Sequence, residues 1–558
     1  MKANRRAAAL LAVALLSLVS LAGAAVAAGA ADYQTTTPIK HVIVIFQENN
    51  SFDHYFGTYP YATNPPGEPP FHAFDGTPAV NGITGPLLTN NPNVVSHDAN
   101  NDPVEPHLFN PYRLDRSMAV TCDNDNAYDA EQEAYDRGLA DQFQATNATI
   151  NPNPTPAAPP TLALPPCPPG LNMGYYDGNT VTALWNYAQH FAMSDSFFDT
   201  EFGTTVMGHL NLISGQTHQT NTVTVKGKVA NGSVIANIDP DPSLDDCATG
   251  STIKMSGHNV GDLLSAKGVT WGWFYGDFDP ATLAVTTGAT TSPAVCTLDY
   301  DAHYDPFNYY PQTANPHHLP PTSIGAVGRD GDQANHQYSL ATFWRAVAAH
   351  NLPAVSFLKA PVLQNGHPAK SDPLDEQTFL VETINQLQAL PEWAQMAIII
   401  TWDDSDGWYD HVVPPIVNES NDPSLDHFCA EQTALTSPFV TTPSPFPATA
   451  WNDRCGYGQR LPMLVISPFA KGNYVDHAVT DTTSILRFIE DNWDTGRIDS
   501  LDHPNGTSAG DPPAGQASFD SLAGPITGMF DFDHPPDLHP VFLDPQTGEV
   551  QNERQRFH

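Results

Sequence analysis

Runs of consecutive apolar residues, each of strand length, recur along the chain at 41–46, 269–274, 354–358, 396–401 and 463–466. They are rich in β-branched residues and do not alternate with polar ones. That pattern predicts strands buried on both faces, as in a parallel sheet covered by helices. Between them the period changes. Leu184, Tyr187, Ala188 and Phe191 fall at helical spacing within 181–191, and 375–390 repeats the pattern. A third helix is predicted over 482–493, with Ile485, Leu486, Ile489 and Trp493 on one face and Asp481 as its cap. Alternating β and α elements predict an α/β fold, a doubly wound and mostly parallel sheet sandwiched by helices. Ligands of such sheets sit beyond the carboxyl ends of the strands. The Pro-, Asn-, Thr- and Asp-rich stretches 60–115, 144–172, 216–255, 275–335 and 412–455 read as long decorating loops or a small cap.

The first 30 residues stand apart. Lys2, Arg5 and Arg6 precede an uncharged apolar stretch, followed by the triplets Ala25-Val26-Ala27 and Ala28-Gly29-Ala30. This is the grammar of a secretory signal peptide, 1–30, and predicts a secreted or periplasmic protein with no integral membrane span once the signal is removed. Six cysteines follow it, none in a C-x-x-C pair. In an oxidising compartment they predict three local bridges, Cys122–Cys167, Cys247–Cys296 and Cys429–Cys455, each flanking a Pro-rich insertion.

Composition narrows the partners. With 22 Lys and Arg against 61 Asp and Glu, the net charge is −39. A polyanion would be repelled and could not be held by counterion release, so nucleic acid is excluded.

Two strand ends carry the chemistry. The first strand runs into Gln47-Glu48-Asn49-Asn50-Ser51-Phe52-Asp53-His54-Tyr55-Phe56-Gly57, and the fourth into Trp402-Asp403-Asp404-Ser405-Asp406-Gly407-Trp408-Tyr409-Asp410-His411. Carboxylates and a carboxamide are hard oxygen ligands. Adjacent carboxylates repel, and in a chain this poor in Lys and Arg a bound cation is the natural counter-charge.

These two motifs, in this order, resemble the secreted bacterial phosphoesterase family, which unites acid phosphatases and phosphatidylcholine-type phospholipases C. Further similarity lies in the segment from Phe202 to Gly215, in Thr313 to Ser323, in Phe357-Leu358-Lys359-Ala360, in Gly366-His367-Pro368 and in Ser371 to Gln377. The resemblance covers about Ile39 to Trp493. It implies an alkaline-phosphatase-like catalytic domain over 31–498, with 499–558 a tail packed on or extending it. It implies one divalent metal on Glu48, Asn49, Asp403 and Asp404, with Ca²⁺, Mg²⁺ or Mn²⁺ favoured by the oxygen donors and Zn²⁺ left open. It further implies Thr205 as nucleophile, with Thr204 the adjacent alternative, and His367 and His303 as proton donors. Asn126, Tyr304, Asp410 and His411 become candidate substrate contacts. Asn126 and Tyr304 stand where the family usually carries His, and the nucleophile loop lacks the family's usual Pro.

The function expected on this resemblance is hydrolysis of small phosphate esters, first of the acid-phosphatase type. A phospholipase C acting on phospholipid head groups is the alternative, and would need aromatic walls such as Trp402, Trp408, Tyr409 and Trp271. A catalytically weakened binding protein of the same fold is a third reading. Gly506-Thr507-Ser508-Ala509-Gly510 fits the serine-hydrolase pattern but follows no strand, so it is set aside. His317-His318, in a Pro-rich stretch, reads as structural, and His54 as either a pocket wall or its support.

Overall fold

All five apolar runs become strands of one eight-stranded sheet in the computed structural model. The strands are β1 (His41–Gln47), β2 (Ala192–Ser194), β3 (Trp271–Tyr275), β4 (Gln337–Tyr338), β5 (Val355–Lys359), β6 (Met396–Trp402), β7 (Met463–Ile466) and β8 (Tyr474–Asp476). Their order is β4-β3-β5-β1-β6-β7-β2-β8. The structure describes residues 34–93, 110–146, 170–224, 229–230, 233–234, 239–276, 296, 299–419, 426, 454–498 and 518–551. The signal peptide predicted at 1–30, Cys167, Cys429 and the 506–510 pattern lie outside the described residues.

Neighbouring strands are parallel except at β7, which runs against both β6 and β2. Its composition reads like that of the parallel strands because it too is buried on both faces. The reversal comes from the connection. Thr401 pairs with Met463, so the chain leaves β6 and enters β7 at the same end.

Side-chain alternation splits the apolar strands between two layers. Ile43, Ile45, Leu358, Ile398 and Ile400 pack with Leu184, Trp185, Phe343, Leu380 and Ile384 of α3 (Thr182–His190), α6 (Leu340–Ala348) and α7 (Pro373–Gln388). Each fully buried Ile or Leu here contributes about 1.5–3 kcal/mol. On the opposite face Phe46 and Trp273 meet His209 of α4 (Thr205–Ser214), at ring-centroid distances of 4.8 and 6.0 Å. Helix α5 (Val260–Ala266) lies against Trp271 through Gly261, and α8 (Thr482–Trp493) packs on α4. The cap predicted at Asp481 is formed. Asp481 makes a capping box with Ser484 at α8, and Asp372 accepts from Leu374 and Asp375 N–H ahead of Pro373 in α7.

Stretch 216–255, read as loop, carries a small three-stranded sheet of Thr220–Thr224, Asp241–Pro242 and Thr252–Met255. The Cys247–Cys296 bridge is formed. Cys122 and Cys455 are oxidised as well. Among the C-terminal residues, Phe519, Ile526, Met529, Phe530 and Leu543 are buried. No helix among the described residues is long and apolar enough to cross a membrane.

Candidate active site

Register builds the site. Gln47 pairs with Trp402 at the ends of β1 and β6, so Glu48-Asn49 and Asp403-Asp404 leave the sheet side by side. Phe46 pairs with Lys359 on the other side, which brings a lysine to the same corner. Asn49 takes a left-handed conformation (φ 56°), one that Asn tolerates better than most residues. Its N–H donates to Asp403 Oδ1 at 3.0 Å. Its amide Nδ2 donates to Asp406 Oδ1 at 3.2 Å, which turns the amide oxygen away from that bond.

Helix α4 supplies the third wall. Thr204 is its N-cap; Thr204 Oγ1 and Val206 N–H both donate to Asp239 Oδ1, at 2.6 and 3.0 Å. The hydroxyl of Thr205, the next residue, instead donates to Asp404 Oδ2 at 3.4 Å. Helix α4 approaches so closely because residue 208 is glycine: a Cβ there would stand 2.0 Å from the Asp403 carbonyl oxygen.

Glu48, Asn49, Thr205, Asp403 and Asp404 are thus brought together, all buried. Ligating atoms of Glu48, Asp403 and His209 lie within 4.8 Å of one another. Glu48 Oε2, Asp403 Oδ2 and Asn49 Oδ1 are buried with no hydrogen-bond partner. Buried acceptors of this kind are costly unless something positive meets them. Burial and the Asp403 charge push Glu48 well above the usual carboxylate range, against the pull of Lys359, whose ammonium contacts Glu48 Oε1. Burial, Asp403 and Glu131 likewise raise Asp404. A divalent cation fits this donor set.

Around this centre, Asn126 donates to Asp404 Oδ1 at 3.0 Å. Tyr304 accepts at its hydroxyl from Lys370 at 2.8 Å, and the Lys359 ammonium lies 4.9 Å from its ring centroid. His303 pairs with Asp301 at 2.8 Å. Burial disfavours its charge, but Asp301 and Asp241 outweigh burial and hold the imidazolium pKa up to about 10. His367 donates from Nδ1 to the Pro368 carbonyl at 2.7 Å and lies near Asp123 and Asp406. Burial and the Lys370 charge lower its pKa well below the ordinary value and keep it neutral.

Asp410 and His411 join a different cluster. Arg460 donates to Asp410 at 3.0 Å and to Asp53 at 3.1 Å, and His411 Nδ1 lies 2.6 Å from Asp53. They brace α1 (Phe52–Phe56) against the 406–411 turn, and their bonds run to each other rather than to Thr205. His54 stacks on Trp408 at 3.7 Å and bonds the Gly174 carbonyl, a supporting role. His318 pairs with buried Asp245 and His317 with Asp246 at the surface. Trp402, Trp408, Tyr409 and Trp271 are all buried.

Three residues of the site were given no role by the motif reading. His209 lies one turn after Thr205 and donates from Nδ1 to the Thr205 carbonyl at 2.8 Å; it stands within the Phe202–Gly215 similarity. Lys359 lay within the similar segment Phe357-Leu358-Lys359-Ala360. Glu131, in α2 (Tyr128–Tyr135), accepts from Ser405 Oγ at 2.5 Å and from Gly203 N–H at 2.8 Å.

A parallel-rich α/β sheet thus gathers paired carboxylates, cationic groups and the threonine that opens α4 beyond its strand ends. Residues 39–496 match the phosphoesterase family, and the chain belongs to that family. It is 24% identical over 468 residues to the non-hemolytic phospholipase C of Pseudomonas aeruginosa, covering 81% of this chain and 53% of that protein. To phospholipase C A of Mycobacterium tuberculosis it is 25% identical over 514 residues, covering 90% of this chain and 78% of that one. The chain therefore spans about half the length of the first of these relatives. Among solved structures it is similar to murine ectonucleotide pyrophosphatase/phosphodiesterase 5, at 13% identity and a TM-score of 0.26, covering 56% of this chain and 89% of that one.

Proposed function

We propose that this protein is an exported hydrolase of phosphate esters that uses Thr205 as its nucleophile. The observation that carries the reading is the hydroxyl of Thr205, at the start of α4, donating to Asp404 Oδ2 beside unpartnered acceptors of Glu48, Asn49 and Asp403. Thr204 is the weaker candidate, since its hydroxyl is committed to Asp239.

Glu48, Asn49 and Asp403, with His209 adjacent, would hold the divalent ion. When bound it would supply Lewis-acid stabilisation of negative charge. An imidazole beside the oxygen donors makes Mn²⁺ or Zn²⁺ as suitable as Ca²⁺ or Mg²⁺. Asp404 Oδ2 accepts the Thr205 proton as Oγ1 attacks phosphorus in line, giving a phosphothreonine and releasing the alcohol. His303, charged across the neutral range, is the proton donor to the leaving oxygen, a contribution of about 10²–10⁴ in rate. Neutral His367, its Nδ1–H committed to Pro368, has no proton to give in that step; its Nε2 can accept one from the water that releases phosphate.

The preferred substrate is a phosphate monoester. His303, Lys359 and Lys370 gather around Tyr304, and three cationic side chains suit a dianion. The phospholipase C reading is favoured by the names of the relatives, but the aromatic residues proposed for a choline pocket are buried in the core. Purified protein is assayed on p-nitrophenyl phosphate, bis(p-nitrophenyl) phosphate and phosphatidylcholine vesicles, with and without chelator. Monoester turnover lost on chelation and in Thr205→Ala supports the proposal. Preference for the vesicles selects phospholipase C, and silence on all three with divalent ions present selects a binding protein.

A further inference from the structure

Glu131 joins two parts of the site that share no strand or helix. Gly203, whose N–H it receives, belongs to the loop entering α4, two residues before Thr205. Ser405, whose hydroxyl it receives, follows Asp404. The Ser405 oxygen in turn accepts the Gly407 N–H at 3.1 Å. Glu131 is 1% exposed, so water does not compete for these bonds. Its neighbours on the same segment point the same way: Asn124 donates twice to Asp406 Oδ2, and Asn126 donates to Asp404. By contrast, the bond between Thr205 and Asp404 is long, 3.4 Å, and does not by itself fix their separation.

We propose that Glu131 is a positioning residue, a two-point clamp that sets the distance between the Thr205 loop and the Asp403–Asp406 turn. The inference rests on the phosphoesterase reading above. Both partners donate, so the clamp requires an acceptor at each carboxyl oxygen, or an oxygen at Gly203 and a donor to a reoriented Ser405 hydroxyl. Glutamine satisfies the second arrangement: its oxygen receives Gly203 N–H and its NH₂ donates to Ser405 Oγ. Alanine satisfies neither. A displacement of about 1 Å at reacting groups costs on the order of 10²-fold in rate.

Five proteins decide the matter: the parent, Glu131→Gln, Glu131→Ala, Ser405→Ala and the Glu131→Ala/Ser405→Ala double variant, each assayed for kcat and KM on p-nitrophenyl phosphate per folded molecule, with Tm measured alongside. The clamp predicts that Glu131→Gln stays within about threefold of the parent while Glu131→Ala loses about 100-fold in kcat with KM little changed. Ser405→Ala is expected to lose part of that, and to cost nothing further when added to Glu131→Ala. Unchanged kcat in folded Glu131→Ala overturns the clamp, as does a Glutamine variant as impaired as the alanine one. Should Glu131→Ala not fold, the Glu131→Gln and Ser405→Ala pair decides: full activity in both overturns it. A parent active on esters with an intact Glu131→Ala sinks only the clamp, whereas a parent silent on every ester sinks the hydrolase reading and the clamp together.

Discussion

Gly208 offers the most direct test of how tightly the site depends on packing. A methyl added there would meet the Asp403 carbonyl oxygen at 2.0 Å, where ordinary contact begins near 3.4 Å. The obstacle is backbone, not a side chain that can turn aside, so α4 and the Asp403 turn must separate by about 1.4 Å in Gly208→Ala. Overpacking of this kind costs about 1–3 kcal/mol, while alanine in a helix interior regains about 1 kcal/mol over glycine. The net loss of stability is therefore about 0–2 kcal/mol, a Tm decrease of at most a few degrees. The rate effect is larger. Thr205 rides on α4 one turn earlier, so its hydroxyl retreats from Asp404, and a misplacement of about 1 Å removes on the order of 100-fold in kcat. The assay is kcat on p-nitrophenyl phosphate beside a thermal melt, with Gly472→Ala, whose Cβ would meet His190 at an ordinary 3.4 Å, as control. A Gly208→Ala protein with parental kcat and Tm would refute the account of α4 as the element that sets the nucleophile.

Thr205→Ala is expected to fold normally and to lose at least 10³-fold in turnover, with Thr205→Ser retaining a substantial part; steady-state kinetics and a search for phosphate on residue 205 in quenched reactions check this. Burial pushes the Glu376 carboxyl up to about 8, although Tyr55, Trp402 and Gln47 donate to it. The folded protein therefore holds a proton that the unfolded chain releases above about 4.5, and stability falls as pH rises from there to about 8. Glu376→Gln removes that slope, worth up to about 5 kcal/mol, so its Tm advantage over the parent should widen between pH 5 and 8; a constant difference contradicts it. Lys359→Met leaves Glu48 buried without its ion pair, which is expected to cost about 3–5 kcal/mol in chelator, and added divalent ion should recover more Tm in this variant than in the parent.

The layered fold was readable because uninterrupted apolar runs have few other interpretations, and the cap at Asp481 behaves locally. The direction of β7 was not, since both faces of a buried strand look alike whichever way the chain passes through it. Glu48, Asn49, Asp403 and Asp404 could be picked out because they directly follow two apolar runs, whereas Thr205 was placed with them only by the family resemblance. His209, Lys359 and Glu131 could not. Their partners are backbone groups or side chains remote in sequence, and a lone His, Lys or Glu inside a helix or strand carries no sign of which neighbour it meets. The same limit applies to Trp402, Trp408 and Tyr409, where composition supplies aromatic rings without telling a core from a pocket wall, and to Asp410 and His411, drawn away from the nucleophile by Arg460.

Because Thr401 and Met463 are paired neighbours, the polypeptide between them is a closed excursion that begins and ends at one doorway of the sheet. Its length can change beyond the 406–411 turn and before Arg460 without shifting the register of any strand, so an insertion there leaves Asp403 and Asp404 where the sheet holds them.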